Sequence, residues 1–264
     1  SNTFVRRVHA VLQAALKQAV KERLIPYNPC ENCRIPPKDK KEMTILPPEK
    51  IGRYLQEAEK YGVLPMFYLE LSSGLHRGEL LALQWEDLNV KERILTVNKQ
   101  VTRMEGELDV TEPKTKNSVR KVALSQQAVD LLVQEHEQHP DNPILFPSPR
   151  TGGYWSPDAV SRINRKLLKS AGIEEHVRFH DLRHTFATMA ISSGVDVKTL
   201  SSMLGHYSAG FTLDTYTHIT NDMQRGAAEK IGGFMESATA TTTPEPPDPP
   251  EGSRCKVIPF EKVG

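Results

Sequence analysis

His180 and Arg183 stand three positions apart in HDLRHTFAT, and at that spacing two side chains share one face of a helix. A permanently charged guanidinium and an imidazole at a helix start, where the dipole is positive, suit a phosphate. Taken alone, HxxR is a common pair of surface or packed residues. Two further groups follow: LGH at 204–206 adds His206, and TLDTYTHI places Tyr216 ten positions after it. A lone tyrosine usually packs its ring and satisfies its hydroxyl. Following two histidines and an arginine in this order, it also fits nucleophilic attack on phosphorus.

Such groups need a helical frame, and the apolar periodicity supplies one. Residues 4–24 put Val8, Leu12, Ala15, Ala19 and Leu24 near helical spacing, and the pattern stops before Pro26. IPYNPCENCRIPPKDKKE follows, dense in Pro and Lys and without period, which predicts an interdomain linker. A single helix cannot make its own core, so this opening helix is expected to be the last of a domain whose remainder lies outside the chain. From Leu46, PPEKIGRYLQEAEKYG, VLPMFYLELSSG and RGELLALQW carry apolar residues three or four apart. Two β-like runs, ILTVNKQVT (94–102) and SVRKVALS (118–125), are joined through polar residues that include Gly106 and the PKTKN turn. Helical pattern resumes in QQAVDLLVQEHEQH, SPDAVSRINRKLLKSAG, HDLRHTFATMAISSG and DVKTLSSMLG, the last two stopped by Gly194 and Gly205. The fold class expected is mainly α with a small antiparallel β-sheet, an α+β arrangement.

At 264 residues, 38% hydrophobic and 25% charged, with mean hydropathy −0.47, the chain can bury one large core, which excludes wholesale disorder. No apolar run reaches the roughly 18 to 20 residues of a membrane-spanning helix and no secretory signal opens the chain, so a soluble cytoplasmic protein is expected. The net charge of +1 argues neither for nor against nucleic acid, but basic residues gather at Arg6, Arg7, Lys17, Lys21 and Arg23, at Lys114, Lys116, Arg120 and Lys121, and at Arg162, Arg165, Lys166 and Lys169. Each cluster reads equally as a solvated face or as part of a basic one. Cys30 and Cys33 form one CxxC and Cys255 stands alone. A single pair lacks the two further ligands that a zinc site needs, so no metal is expected.

SSGLHRGELLALQW, PKTKNSVRKVALS, HDLRHTFAT, LGHYS and TLDTYTHI, in this order and at these intervals, resemble the tyrosine recombinase (phage integrase) family. The resemblance covers roughly residues 45–235, the catalytic domain, and the wording of the motifs is closest to integrases of conjugative transposons and phages of Gram-positive bacteria. It implies cutting and rejoining of duplex DNA through a 3′-phosphotyrosine, without cofactor. The phosphoester energy is kept in the covalent link, so no external energy source is needed. By the same resemblance Tyr216 is the nucleophile, Arg183 contacts the phosphate oxygens, His180 assists proton transfer from the tyrosine and His206 donates a hydrogen bond to the phosphate. Lys116 protonates the leaving 5′-oxygen, with Lys114 as its substitute. Candidate phosphate contacts are Lys17, Lys21, Arg77, Lys114, Arg120, Arg162 and Arg165.

One position departs from the family. Aligning GEL with Gly78, Glu79 and Leu80 puts His76 in the slot of the first catalytic arginine, with Arg77 on a variable position. Either the arginine has been replaced, leaving a weak or dead catalyst, or Arg77 reaches round to serve. Glu79 fills the family's acidic slot and equally suits a helix N-terminus. The domain organisation expected is 1–36 as the last core-binding helix plus linker and 37–236 as the catalytic domain, then 237–253 as a flexible Pro/Thr linker and 254–264 as a docking segment. The expected partners are double-stranded DNA and further copies of the chain, a dimer on one site and a tetramer in synapsis, with an excisionase or DNA-bending protein and no membrane. A Xer-like resolvase or type IB topoisomerase is the alternative within the enzymes. A non-catalytic DNA-binding relative is the alternative from another class.

Overall fold

The computed structural model describes residues 1–37, 44–104, 106–111, 119–205, 210 and 228–237. Helix α1 spans Asn2–Lys21, with the Ser1 hydroxyl accepting from the Phe4 amide at its start. It stops short of the expected Leu24 because Arg23 turns left-handed, at φ 60°. The amides of Arg23 and Leu24 then fold back onto the carbonyls of Val20 and Ala19, a Schellman stop built without glycine. No residue of α1 is buried.

Helices α2 (Pro48–Lys60), α3 (Leu64–Ser73) and α4 (Arg77–Ala82) follow. A 3-10 turn at Trp85–Asp87 then leads into the strands, β1 (Leu88–Asn89), β2 (Ile94–Val97), β3 (Gln100–Met104), β4 (Glu107–Thr111) and β5 (Arg120–Ala123). Helices α5 (Gln126–Glu137), α6 (Pro157–Ser170), α7 (Phe179–Ser192) and α8 (Val197–Leu204) complete the named elements, and residues 228–237 are also helical. Pro48 and Pro157 stand where a helix has no use for an amide donor, and Ser125 caps α5 by accepting from the Ala128 amide at 3.2 Å.

The fold is mainly α with small antiparallel sheets, as expected, but the strands are divided differently. The run 94–102 breaks in two: β2 pairs with β1 and β5, with Leu95 opposite Val122, whereas β3 pairs with β4 in a hairpin that turns at Gly106. Strand β4 has no counterpart in the sequence reading. ELDVT does alternate polar and apolar residues, but the run is only five residues long with just Leu108 and Val110 apolar, and the strand buries neither of them.

The chain divides into two units. The first holds residues 1–187 and 203–205 and contains a core in which Tyr54, Phe67 and Phe179 meet edge to face, with centroids 5.8 Å apart at each step. A buried polar seam crosses it: the Tyr54 hydroxyl donates to Asn164 Oδ1 at 2.7 Å, and Asn164 Nδ2 donates to the Val177 carbonyl at 3.0 Å. Within the second unit, Asp196 caps α8 by accepting from the Thr199 amide at 2.9 Å. Among the described residues no helix is long and apolar enough to cross a membrane. The terminal segments expected as linker and docking strand lie outside the described residues, apart from Ser237.

Candidate active site

The SSGLHRGEL segment acts through its backbone as much as its side chains. Gly74 ends α3 at φ 61°, and a Cβ there would lie 2.3 Å from the Phe186 ring, so this turn requires glycine. The Gly74 carbonyl accepts from Arg183 Nη1. Two residues on, the His76 amide donates to Glu79 Oε2 at 2.9 Å, which caps α4. At Gly78 a Cβ would meet the Val101 carbonyl at 2.8 Å, so the β3 backbone packs directly on the first turn of α4.

On α7, Asp181 accepts from the Arg178 amide at 2.7 Å and from Arg178 Nε and Nη2 at 2.9 and 2.7 Å. Burial works against the Asp181 carboxylate, yet these bonds hold its pKa below the ordinary value. With the helix start fixed in this way, Arg183 points inward and is 2% exposed, while His180 faces solvent. Arg183 Nη2 donates to the Leu204 carbonyl at 2.7 Å. The guanidinium is therefore held by carbonyls at the C-terminal ends of two helices, α3 and α8, where the backbone partial charge is negative.

His76 and His180 stand together beside it. Their rings are parallel within 4° with centroids 6.2 Å apart, and His184 lies nearly perpendicular to His180 with centroids 4.9 Å apart. Desolvation, then the Arg183 charge, pushes His76 down to about 4, although its ring reaches solvent. Desolvation, then His180, takes His184 to about 4 as well, and desolvation with Arg183 lowers His180. The cluster is thus uncharged near neutral pH, so His180 can accept a proton and His76 adds no positive charge. A cleft lined by His76, Arg77, Gly78, Arg165, Arg178 and His180 opens beside these rings.

Beneath the cleft is a buried charge system. Arg120 makes a two-pronged bond to Glu79, at 2.9 and 2.6 Å, and its Nε donates to the Met203 carbonyl at 2.8 Å. Burial disfavours the Glu79 carboxylate, but the Arg120 fork and the His76 amide keep its pKa below the usual range. Glu70, on α3, is fully buried, and neither carboxyl oxygen has a hydrogen-bond partner among the described residues. Burial pushes its pKa well up, against the opposing pull of Arg183 and Arg120, so the group is held as the acid.

The upward shift at Glu70 makes the stability of the fold depend on pH. The carboxyl titrates higher in the folded chain than in the unfolded one, so its favourable contribution is full below the ordinary glutamate pKa and is lost as pH rises through the folded value. Glu70→Gln should flatten this fall and be more stable than the parent at neutral and alkaline pH. Urea unfolding of both proteins across pH checks it, and identical pH profiles would refute it.

The structure brings together His76, His180 and Arg183. Arg77 lines the same cleft, but its guanidinium is tied to α6: Nη1 donates to Ser161 Oγ at 2.5 Å and to the Pro157 carbonyl at 3.2 Å. Arg120, expected at the DNA surface, is instead 9% exposed and committed to Glu79. Lys17 and Lys21 on α1, and Arg162 and Arg165 on α6, are exposed. Lys114, Lys116, His206 and Tyr216 lie outside the described residues. Sequence reasoning passed over His184, Arg178 and Glu70. The spacing of four between His180 and His184 was a usable signal, whereas nothing in LELSS separates a buried Glu70 from a solvated one.

The sequence pattern of the phage integrase family matches residues 46–223, well over half of the chain. The chain belongs to that family. As a phage integrase it is a tyrosine recombinase, a site-specific DNA strand transferase. It is 30% identical over 248 residues to the ICEBs1 integrase of Bacillus subtilis, a match that covers 89% of this chain and 67% of that protein. A XerC-like tyrosine recombinase of Caldanaerobacter subterraneus is 27% identical over 263 residues, with the same coverage. Among solved structures, the Tn1549 transposon integrase in complex with a circular intermediate DNA shares the fold at a TM-score of 0.75 and 22% identity, over 87% of this chain and 79% of that one. A lambda integrase dimer bound to a core site matches at a TM-score of 0.58 and 22% identity, over 76% of this chain and 71% of that one. These similarities agree with the resemblance carried by the sequence motifs.

Proposed function

We propose that this integrase recombines the ends of a mobile element with its target DNA, and that Tyr216 is the nucleophile. The tyrosine oxygen attacks the scissile phosphorus, the bond to the 5′-oxygen breaks, and a 3′-phosphotyrosine and a 5′-hydroxyl result. His180 takes the tyrosine proton and Lys116, or Lys114 in its place, supplies one to the leaving oxygen. Arg183 and His206 donate to the phosphate oxygens as charge builds. The returning 5′-hydroxyl of a partner strand reverses these steps. The observation that carries the reading is the pairing of exposed His180 with an arginine fixed beside it by two helix ends.

His76 occupies the place of a second guanidinium. A neutral imidazole cannot make the two-pronged clamp on phosphate, so this chain cleaves slowly. Exposed Lys17, Lys21, Arg162 and Arg165 are suited to backbone phosphates, with α1 and the linker (1–36) as the end of a core-binding domain and 37–236 as the catalytic domain. Lambda integrase has been solved as a dimer on a core site and as a tetramer on a Holliday junction, and the same assemblies are proposed here. The reaction would take place in the bacterial cytoplasm, assisted by an excisionase or DNA-bending protein.

A nicked suicide substrate tests the reading. Its short leaving strand diffuses away, so even slow cleavage accumulates a covalent adduct. The adduct is expected to map to the peptide containing Tyr216. An adduct on another residue refutes the assignment of the nucleophile, and none after prolonged incubation favours the non-catalytic DNA-binding relative.

A further inference from the structure

Outside the recombinase site, the turn that follows α1 gathers three metal-ligating side chains. His9 from the middle of α1, Cys30 and Cys33 each offer a ligand atom, and these atoms all lie within 4.8 Å of one another. The CxxC alone falls short of a metal site, and the fold supplies the missing type of ligand from 21 residues upstream.

Side chains other than the three ligands help hold the two halves in place. Asn28 is 5% exposed; its Nδ2 donates to the Gln13 carbonyl at 3.3 Å and its Oδ1 accepts from the Cys30 amide at 2.9 Å. The Cys33 amide donates to the Cys30 carbonyl at 3.3 Å, closing a turn that sets both thiols on one side. A second strap joins Arg6 Nη1 to the Pro36 carbonyl at 2.8 Å. One nitrogen of His9, Nε2, lies 3.2 Å from the Cys30 carbonyl, the kind of contact that orients ligating histidines.

We propose that His9, Cys30 and Cys33 form a zinc site that ties the turn after α1 to the helix, with water as the fourth ligand. Thiolate and imidazole are the donors zinc prefers, and in a tetrahedral site with bonds of about 2.0 to 2.3 Å the ligand atoms stand about 3.5 to 3.8 Å apart. The observed ligand atoms, all within 4.8 Å of one another, lie close to that spacing. Binding releases both thiol protons to solvent, and two thiolates neutralise the ion beside the basic residues Arg6 and Arg34. The tie has a physical purpose here, because α1 buries none of its own residues and has little apolar packing to fix the chain leaving it.

The test uses the full chain with Cys255→Ser, which removes the remaining thiol, after reduction and chelation of adventitious metal. Zinc is titrated against a chromophoric chelator, and cobalt serves as the spectroscopic probe. The site requires one equivalent of zinc, thiolate-to-cobalt charge transfer with tetrahedral ligand-field bands, and at least about tenfold weaker binding in His9→Gln. Cys33 is exposed and His9 half-buried, so Cys33→Ser and His9→Gln test the ligands without opening a core. Zinc binding no tighter than that of the Cys30→Ser, Cys33→Ser double variant overturns the site. Equal affinity in His9→Gln also overturns it, because the CxxC would then act without the histidine.

Discussion

His76→Arg raises the rate of covalent attachment to DNA by about two to three orders of magnitude, the usual worth of one preorganised donor to a transition-state oxyanion. His76 begins α4 next to His180, and its amide is fixed by Glu79, so a longer side chain starts from a backbone already aimed at the cleft. The imidazole sits near a pKa of about 4 and stays neutral across the working range, whereas a guanidinium there carries charge at every pH. Its repulsion from Arg183 is relieved once phosphate lies between them. Arg77→Ala should change the rate far less, since its guanidinium is bonded to Ser161 and the Pro157 carbonyl. Single-turnover adduct formation on one nicked substrate compares the three proteins. Equal rates for the parent and His76→Arg would refute the assignment, as would loss of cleavage in Arg77→Ala alone.

Helices such as α2 and α6 were legible because each buries one face and keeps the other wet, so its apolar residues fall three or four apart. Tyr54 and Ala58 on α2, and Val160, Asn164, Leu167 and Leu168 on α6, carry that pattern. The β3–β4 hairpin was not, since the alternation of Glu107, Leu108, Asp109 and Val110 is too short to stand out and no core burial enriches it in apolar residues, all four being exposed. The site was partly legible. His180 and Arg183 are local to one helix, so their spacing predicts a shared neighbourhood, but not that one faces solvent and the other is enclosed by backbone carbonyls. Contacts across long stretches of chain were invisible: the Arg120–Glu79 bond joins β5 to α4, and His9 meets Cys30 only through the fold of the turn. Charge type alone could not tell a phosphate contact from half of a buried pair.

Arg120 now separates those two possibilities by experiment, and its replacement has the largest stability effect expected. Arg120→Met removes the guanidinium fork from a carboxylate that is 8% exposed, leaving Glu79 charged and buried. Breaking a buried pair from one side typically costs about 3 to 5 kcal/mol, whereas removing both charges is often nearly neutral. Urea unfolding should therefore show a loss of that size in Arg120→Met, much of it recovered in the double variant Arg120→Met, Glu79→Gln. The single variant should also loosen the start of α4, because Glu79 caps it through the His76 amide. A phosphate contact predicts the reverse: stability nearly unchanged, and the slope of log affinity for DNA against log salt smaller by about one. Observing that second pattern would return Arg120 to the DNA surface, while the first places it in the scaffold beneath His76 and Arg183.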